Sequence, residues 1–334
     1  MRNLASIQRI LAIDPIPEAD AIEVATILGW KVVVRKEEFQ VGDLCVYCEI
    51  DSLLPEREEF EFLRKSKFRI KTVRLRGQLS QGICFSLNIL PPGLQAYGKE
   101  GQNVTDILDV KKYEPPVPVC LRGQVKGLFP GFLRKTDETR IQSAIGLLEE
   151  LRGREVYITV KVDGTSGTFS FHEGEFDVCS RNMSLKETEG NIFWRMFHKY
   201  KLGDILRSYG RDIAIQGEVA GPGIQKNRLG LDEHELFVFD AYDIVGGRYF
   251  DGLELRDFCT ANNLQRVPML DEGVTLNPDL TLEELLKMAE GKYDSGHYRE
   301  GIVIRPMVET YSRALNSRMS CKVVNNTYLL KGGD

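Results

Sequence analysis

Apolar residues alternate with polar ones in a series of short runs through the first third of the chain, at residues 5–13, 21–28, 31–35, 44–50 and 68–75. A period of two is the mark of a strand with one buried face. Gly29, Gly42, Gly77 and Gly82 punctuate these runs, as turns between strands require. Several short strands at close spacing predict a small β-barrel, and the OB-fold is the commonest of these with a basic face. Further along the pattern changes. Residues 143–152 read as a helix with Ile145, Leu147, Leu148 and Leu151 on one side, and helical stretches are also expected at 191–206, 253–263 and 280–288. Strand-like runs lie among them at 155–160, 168–171, 177–180, 213–219, 236–242 and 301–305. The expected fold class is α+β, with an OB-like barrel over 1–112 and a second domain over 132–334 that combines antiparallel sheets with flanking helices.

Between the two, Glu114-Pro-Pro-Val-Pro118 followed by Gly123, Gly127, Pro130 and Gly131 has linker composition, so residues 113–131 are expected to connect the domains. A length of 334 residues suits two domains, each able to bury its own core. No apolar stretch reaches the ~18 residues of a membrane span, and the opening residues form no signal-peptide core. A cytoplasmic protein with no membrane partner is expected, acting as a monomer. Seven scattered cysteines, mostly inside apolar segments, fit a reducing compartment. Cys45 and Cys48 have zinc-ligand spacing but sit three apart on an expected strand, on opposite faces, with no second pair to complete a site. The four histidines form no cluster.

The net charge of −5 argues against a non-specific nucleic-acid binder, yet residues 64–76 hold seven Lys/Arg in thirteen positions. On a strand, Lys67, Arg69 and Lys71 would share one face, with Phe68 and Ile70 on the other. Such a stripe is either a solvated edge or a phosphate-tracking surface.

The sharpest chemical signal is Lys161-Val162-Asp163-Gly164, directly after the strand-like run 155–160. A lysine ending a half-buried strand, followed by an acid and a turn glycine, suits a covalent nucleophile aimed into a pocket. The pattern is short and gains its weight from five segments downstream in the chain. Ser180-Arg181-Asn182, Gln216-Gly217-Glu218, the run from Phe237 through Phe239 to Asp243, Glu300-Gly301 and Ser320-Cys321-Lys322 each place polar groups where a buried sheet favours apolar ones.

In this order the segments resemble the motif series of covalent nucleotidyltransferases, which include polynucleotide ligases and mRNA capping enzymes. The chain is most similar to the Naegleria- and Deinococcus-type RNA ligases, in which an OB domain precedes a ligase-type nucleotidyltransferase domain. Gly42-Asp-Leu-Cys-Val-Tyr-Cys-Glu-Ile-Asp-Ser-Leu-Leu-Pro55 and Lys135-Thr-Asp-Glu-Thr-Arg-Ile-Gln142 extend the resemblance. It implies an ATP-dependent RNA ligase that joins 3′-hydroxyl and 5′-phosphate ends through a lysyl–AMP and an RNA-adenylate. Lys161 would be the nucleophile. Glu218 would bind the ribose, Phe239 stack on adenine, and Arg181 and Lys322 hold phosphates, with Lys322 on the α-phosphate where charge develops. Asp163 and Glu300 would serve a divalent cation, Mg²⁺ or Mn²⁺, through its water, and Arg140 would contact the nucleotide. The partner would be nicked or end-containing RNA on an RNA or DNA template. One departure stands out: Ser320 occupies a position where many ligases carry a lysine. The alternatives are a DNA ligase, a capping guanylyltransferase, and a non-catalytic RNA-binding protein on a ligase scaffold.

Overall fold

The computed structural model describes residues 3–113 and 123–332. The chain divides into two compact units: residues 1–115 with 142–145 and 329–334, and residues 116–141 with 146–328.

The first unit is built from short antiparallel strands. These are β1 (Ala5–Arg9), β2 (Ala12–Pro15), β3 (Ile22–Ile27), β4 (Trp30–Arg35) and β5 (Leu44–Cys48), then β6 (Ser52–Leu53), β7 (Val73–Leu75), β8 (Gln78–Ser80) and β9 (Ile83–Phe85). A short helix, α1 (Pro92–Tyr97), and β10 (Lys111–Lys112) complete it. The sheets run β1-β5-β9 and β2-β3-β4, with two-stranded pairs β7-β8 and β10-β6. Ile7, Trp30, Val46 and Tyr47 are completely buried. Cys45 and Cys48 are buried free thiols in β5, and burial pushes the Cys48 thiol far above its ordinary value.

Two expectations fail here for physical reasons. The run 5–13 is two strands, β1 and β2, belonging to different sheets. The run 68–75 is a strand only from Val73. A 3₁₀ helix over Glu58–Ser66 ends in a left-handed Lys67, and Phe68 is left-handed too. The Ser66 hydroxyl lies within hydrogen-bond distance of the Leu63 and Arg69 carbonyls, at 2.9 and 2.8 Å, and its one hydrogen serves either. Phe68 and Ile70 still face inward, so the alternation was genuine, but a turn satisfies it rather than a strand. Lys67, Arg69 and Lys71 therefore share no strand face. Arg69 is 8% exposed, paired with Asp51 at 3.2 Å and stacked on the Tyr113 ring.

In the second unit, β11 (Val125–Leu128) lies inside the stretch expected to be a linker and pairs with a neighbouring strand; residues 114–122 of that stretch, with Cys120, lie outside the described residues. Then come β12 (Thr139–Arg140), α2 (Gly146–Leu151), β13 (Glu155–Lys161), β14 (Thr165–His172), β15 (Glu175–Ser180) and β16 (Met183–Leu185). The expected helix 191–206 is two helices, α3 (Ile192–Lys199) and α4 (Leu202–Ser208), broken at a left-handed Lys201. The chain continues through β17 (Ile213–Ala220), β18 (Glu235–Asp243), β19 (Arg248–Tyr249), α5 (Gly252–Ala261) and β20 (Met269–Thr275). It continues through α6 (Leu282–Ala289), β21 (Gly301–Pro306), a short hairpin of β22 (Tyr311–Ser312) and β23 (Ser317–Arg318), and β24 (Cys321–Val324), with a last short helix, α7 (Asn326–Leu330), after it. Asn191 caps α3, and Thr281 with Glu284 forms a capping box on α6.

A seven-stranded sheet, β11-β16-β15-β14-β17-β18-β19, and a five-stranded sheet, β12-β24-β21-β13-β20, form the second unit. Pairing is antiparallel except for β12 against β24. Phe169, Ile215 and Leu236 of the larger sheet pack with Phe193 and Phe197 of α3 and Leu206 of α4. No described helix is long and apolar enough to cross a membrane. Because Phe169 is fully buried in this core, Phe169→Ala is expected to destabilise the second unit by about 3–5 kcal/mol, measured by urea denaturation.

Candidate active site

Several central strands of the second unit are buried on both faces and open at single residues. In β13, which begins at an exposed Glu155, the open residue at the C-terminal end is Lys161; in β17 it is Glu218, and in β24 Lys322. Phe239 is one of two such positions in β18, and Glu300 sits half-buried immediately before β21. A strand buried on both faces carries no alternation, so the polar residues are the signal.

The strand register gathers them. Lys161 lies opposite Gly301, which brings its amine to 2.9 Å from the Glu300 carboxylate. Arg140, Lys322, Val303 and Thr159 form one cross-strand row through β12, β24, β21 and β13. Side chains in a row share a face, so Lys161, two residues beyond Thr159, shares the face of Arg140 and Lys322. Glu218 comes from the other sheet. Gly164 permits its approach: a Cβ there would lie 2.5 Å from the Val219 carbonyl oxygen and 2.8 Å from Glu218 Cγ. Gly301 meets the same constraint, at φ +152° with the Val323 carbonyl 2.1 Å from any Cβ.

The electrostatics follow from the packing. Burial works against the Lys161 ammonium, but Glu300, Glu218 and Asp163 outweigh it and hold the lysine above its ordinary pKa. Burial, with Glu300 and Asp163 nearby, pushes Glu218 up to about 8 although Lys161 and Arg181 pull it down. Asp163 is held on both oxygens, by the Arg228 guanidinium and by the Tyr328 hydroxyl at 2.8 Å. An amine among carboxylates at the mouth of a sheet can act as a nucleophile once their negative charge is offset.

A family model described as an OB-fold domain matches residues 4–87, and one described as RNA ligase matches residues 154–324. The chain belongs to the RNA ligase family. The solved structure of Naegleria gruberi RNA ligase with pyrophosphate is 35% identical, with a TM-score of 0.90 and full coverage of both chains. Two variants of that ligase are equally similar, at 35% identity, TM-score 0.90 and 99% coverage of each chain: a glutamate-to-alanine form with AMP and manganese and a lysine-to-alanine form with ATP and manganese. No curated protein sequence matches.

The ligase thus has an N-terminal OB-fold followed by an α+β ligase domain. Its Arg181 extends from the turn after β15 and pairs with Asp137, close enough to Glu218 to act on its charge. Ser320, where many ligases carry a lysine, is buried and accepts from Arg305 Nε at 3.0 Å. Arg305 also binds Glu138 at 2.7 Å, Asp240 at 3.2 Å and the Phe239 carbonyl at 3.1 Å. Arg318 adds a second guanidinium on Asp240, at 2.8 Å. A lysine at 320 would bring another cation into a cluster already holding two. Among the described residues no three His, Cys, Asp or Glu converge as metal ligands.

Sequence reasoning missed Arg228, Tyr293 and Tyr328, which stand in polar or terminal stretches with no periodic signal. Arg305 and Arg318 could have been suspected, Arg305 as a charge closing an apolar strand.

The Glu218 shift has a sign that can be checked. An acid whose pKa is raised by folding contributes most below its unfolded value, near 4.5, and that stability is lost as pH rises through about 8. Without nucleotide or metal, the melting temperature of Glu218→Gln is therefore expected to gain on the parent's as pH climbs across this window. A constant difference would contradict the shift.

Proposed function

We propose that this RNA ligase uses ATP and a divalent cation, with Lys161 as the nucleophile of a covalent enzyme–AMP. The observation that carries the reading is the Lys161 amine at the end of β13 among Glu300, Glu218 and Asp163. Lys161 Nζ attacks the α-phosphorus of ATP. An N–P bond forms, the bond to the bridging oxygen of the β-phosphate breaks, and pyrophosphate leaves. AMP then passes to an RNA 5′-phosphate, which frees the lysine and gives A(5′)pp(5′)RNA. The RNA 3′-hydroxyl attacks this end and AMP departs. The Naegleria ligase structures with ATP, AMP and pyrophosphate, the reactant and the products of the first step, support this reading.

The amine reacts only when neutral, and its acids favour the ammonium. A bound Mg²⁺ or Mn²⁺ supplies the offsetting positive charge and screens the phosphates. The residues fit such an ion: the carboxylates of Glu300, Glu218 and Asp163 surround the Lys161 amine, oxygen donors of the kind Mg²⁺ and Mn²⁺ take. With both Asp163 oxygens engaged, Asp163 and Glu300 would hold it through water. Glu218 is assigned to the ribose hydroxyls, Phe239 to the adenine face, and Arg140, Arg181 and Lys322 to phosphate or nucleotide. Arg181 would exchange Asp137 for phosphate oxygen.

The proposed substrate is nicked or end-containing RNA on an RNA or DNA strand, contacted by the OB domain, with the boundary between the domains in residues 113–131. The contact surface is not the strand face expected from the sequence. Arg64 is paired with Glu61 at 2.7 Å and Arg69 is buried, which leaves Lys65, Lys67, Lys71, Arg74 and Arg76 exposed. Phe62, at 63% exposure, lies just before it on the 3₁₀ helix Glu58–Ser66. Six buried free cysteines among the described residues fit a reducing compartment, and the cytoplasm is the proposed location.

Incubation with α-labelled ATP or GTP and metal, then denaturing electrophoresis, tests the chemistry. ATP-specific label is expected on the parent and none on Lys161→Ala or Lys161→Arg, since a guanidinium stays protonated. Glu218→Ala and Phe239→Ala should raise the ATP requirement, whereas Glu300→Ala should slow labelling even at saturating ATP. Label on either lysine variant would remove Lys161 from its role.

A second measurement addresses the surface. Changing Lys67, Lys71 and Arg76 together to Gln is expected to weaken binding to nicked RNA and flatten the salt slope of log K by up to ~0.9 per lost duplex-phosphate contact. Adenylylation of Lys161 without RNA should persist. Unchanged affinity at every salt concentration would reduce the segment to a solvated edge.

A further inference from the structure

Lys161, Asp163 and Glu300 come from two different strand ends, and one side chain ties their backbones together. The Tyr293 hydroxyl donates to the Lys161 carbonyl at 2.8 Å and accepts from the backbone N–H groups of Asp163, at 3.1 Å, and Glu300, at 3.2 Å. One hydrogen and two lone pairs are all that a phenol offers, and all three are used on this site. We propose that Tyr293 is the positioning residue that aims the Lys161 amine and holds it against Glu300.

The segment carrying Tyr293 is built for placement. Residues 291–299 form a tight hairpin, with a bridge between Lys292 and Tyr298 and a hydrogen bond of 2.8 Å from the Tyr293 N–H to the His297 carbonyl. The Arg299 guanidinium anchors its base on the carbonyls of Met288, Ala289 and Glu290 at the end of α6. Asn325, just after β24, donates its side-chain amide to the Arg299 carbonyl at 3.1 Å and its backbone N–H to the Glu300 carbonyl at 2.9 Å. The Ser295 hydroxyl donates to the carbonyl of Arg228, whose guanidinium pairs with Asp163. The hairpin thus reaches the nucleophile's motif from two sides, through Tyr293 and through Ser295. Burial pushes the Tyr293 phenol well above its ordinary value, so it stays a neutral donor and acceptor at working pH.

Tyr293 is not a catalytic residue, because its hydroxyl is fully engaged by backbone and touches no reacting atom. Its effect passes through the amine it places. Lysine adenylylation needs that placement. Sealing of a pre-adenylylated RNA does not use Lys161 as nucleophile and is the internal control for folding.

The inference rests on Lys161 as the nucleophile, and the experiment separates the two. Tyr293→Phe keeps the ring and removes only the hydroxyl. At saturating ATP and metal, its rate of lysyl–AMP formation is expected to fall about 10- to 100-fold, the scale of a misplacement near 1 Å. The KM for ATP and the rate of sealing A(5′)pp(5′)RNA should stay within about threefold of the parent, a small change beside that placement effect. An unchanged adenylylation rate overturns the proposal. So does an equal loss in both steps, which would mark a merely structural hydroxyl. If Lys161→Ala still took up label, the nucleophile assignment would fail first; if Lys161→Ala is dead and Tyr293→Phe behaves as the parent, only the positioning role fails.

Discussion

The arrangement of the second unit turns on an ammonium held among carboxylates at the mouth of two sheets. Lys161 meets Glu300 within 2.9 Å and feels Glu218 and Asp163 as well. Partly desolvated charges interact far more strongly than exposed ones, so each must be balanced or changed in protonation. Glu218, from the opposite sheet, is held up to about 8. Burial is the main reason for that shift, while the carboxylates around Lys161 favour its charged form.

A second buried charge cluster lies beneath the phenylalanine proposed to stack on the base. Arg305 and Arg318 share Asp240, and Glu138 closes the group, its carboxyl kept below the usual range by the two guanidinia against the opposing effect of burial. Arg305 comes from the five-stranded sheet and bonds the Phe239 carbonyl and Asp240 of the seven-stranded one. Buried ion pairs of this kind contribute less to net stability than to the uniqueness of an arrangement, and removing one partner is costly. Here the cluster fixes how the sheets face each other, and it explains Ser320. That hydroxyl accepts from Arg305, which a lysine ammonium, having no acceptor, could not do.

In the OB-fold unit the basic segment shows how local pattern and tertiary demand diverge. Phe68 and Ile70 supply two anchors to the core, and the polar residues between them read as a strand's outer face. Two consecutive left-handed residues bury the same anchors through a turn. Arg69 is thereby carried inward onto Asp51 and Tyr113, while Lys65, Lys67, Lys71, Arg74 and Arg76 stay at the surface. The segment remains basic, but its charges are not arranged as a strand face.

What the sequence determined by itself was the order of parts and the identity of the chemical groups. Short alternating runs followed by mixed helices and strands specified two units, and Lys161, Glu218, Glu300 and Lys322 could be named because a charge in a buried strand has few reasons to be there. Gly164 and Gly301 were visible as letters but not as reasons, since the close approach of Glu218 and of the Val323 carbonyl exists only after the strands pair. The tertiary structure alone decided which groups meet. Tyr293 and Tyr328 lie 132 and 165 residues from the backbone and side chain they hold, and Arg228 reaches Asp163 across 65. Such contacts arise from sheet register and loop closure, which no local spacing encodes, so hydrophobic pattern could place Lys161 on its strand but not the hydroxyl that holds its backbone.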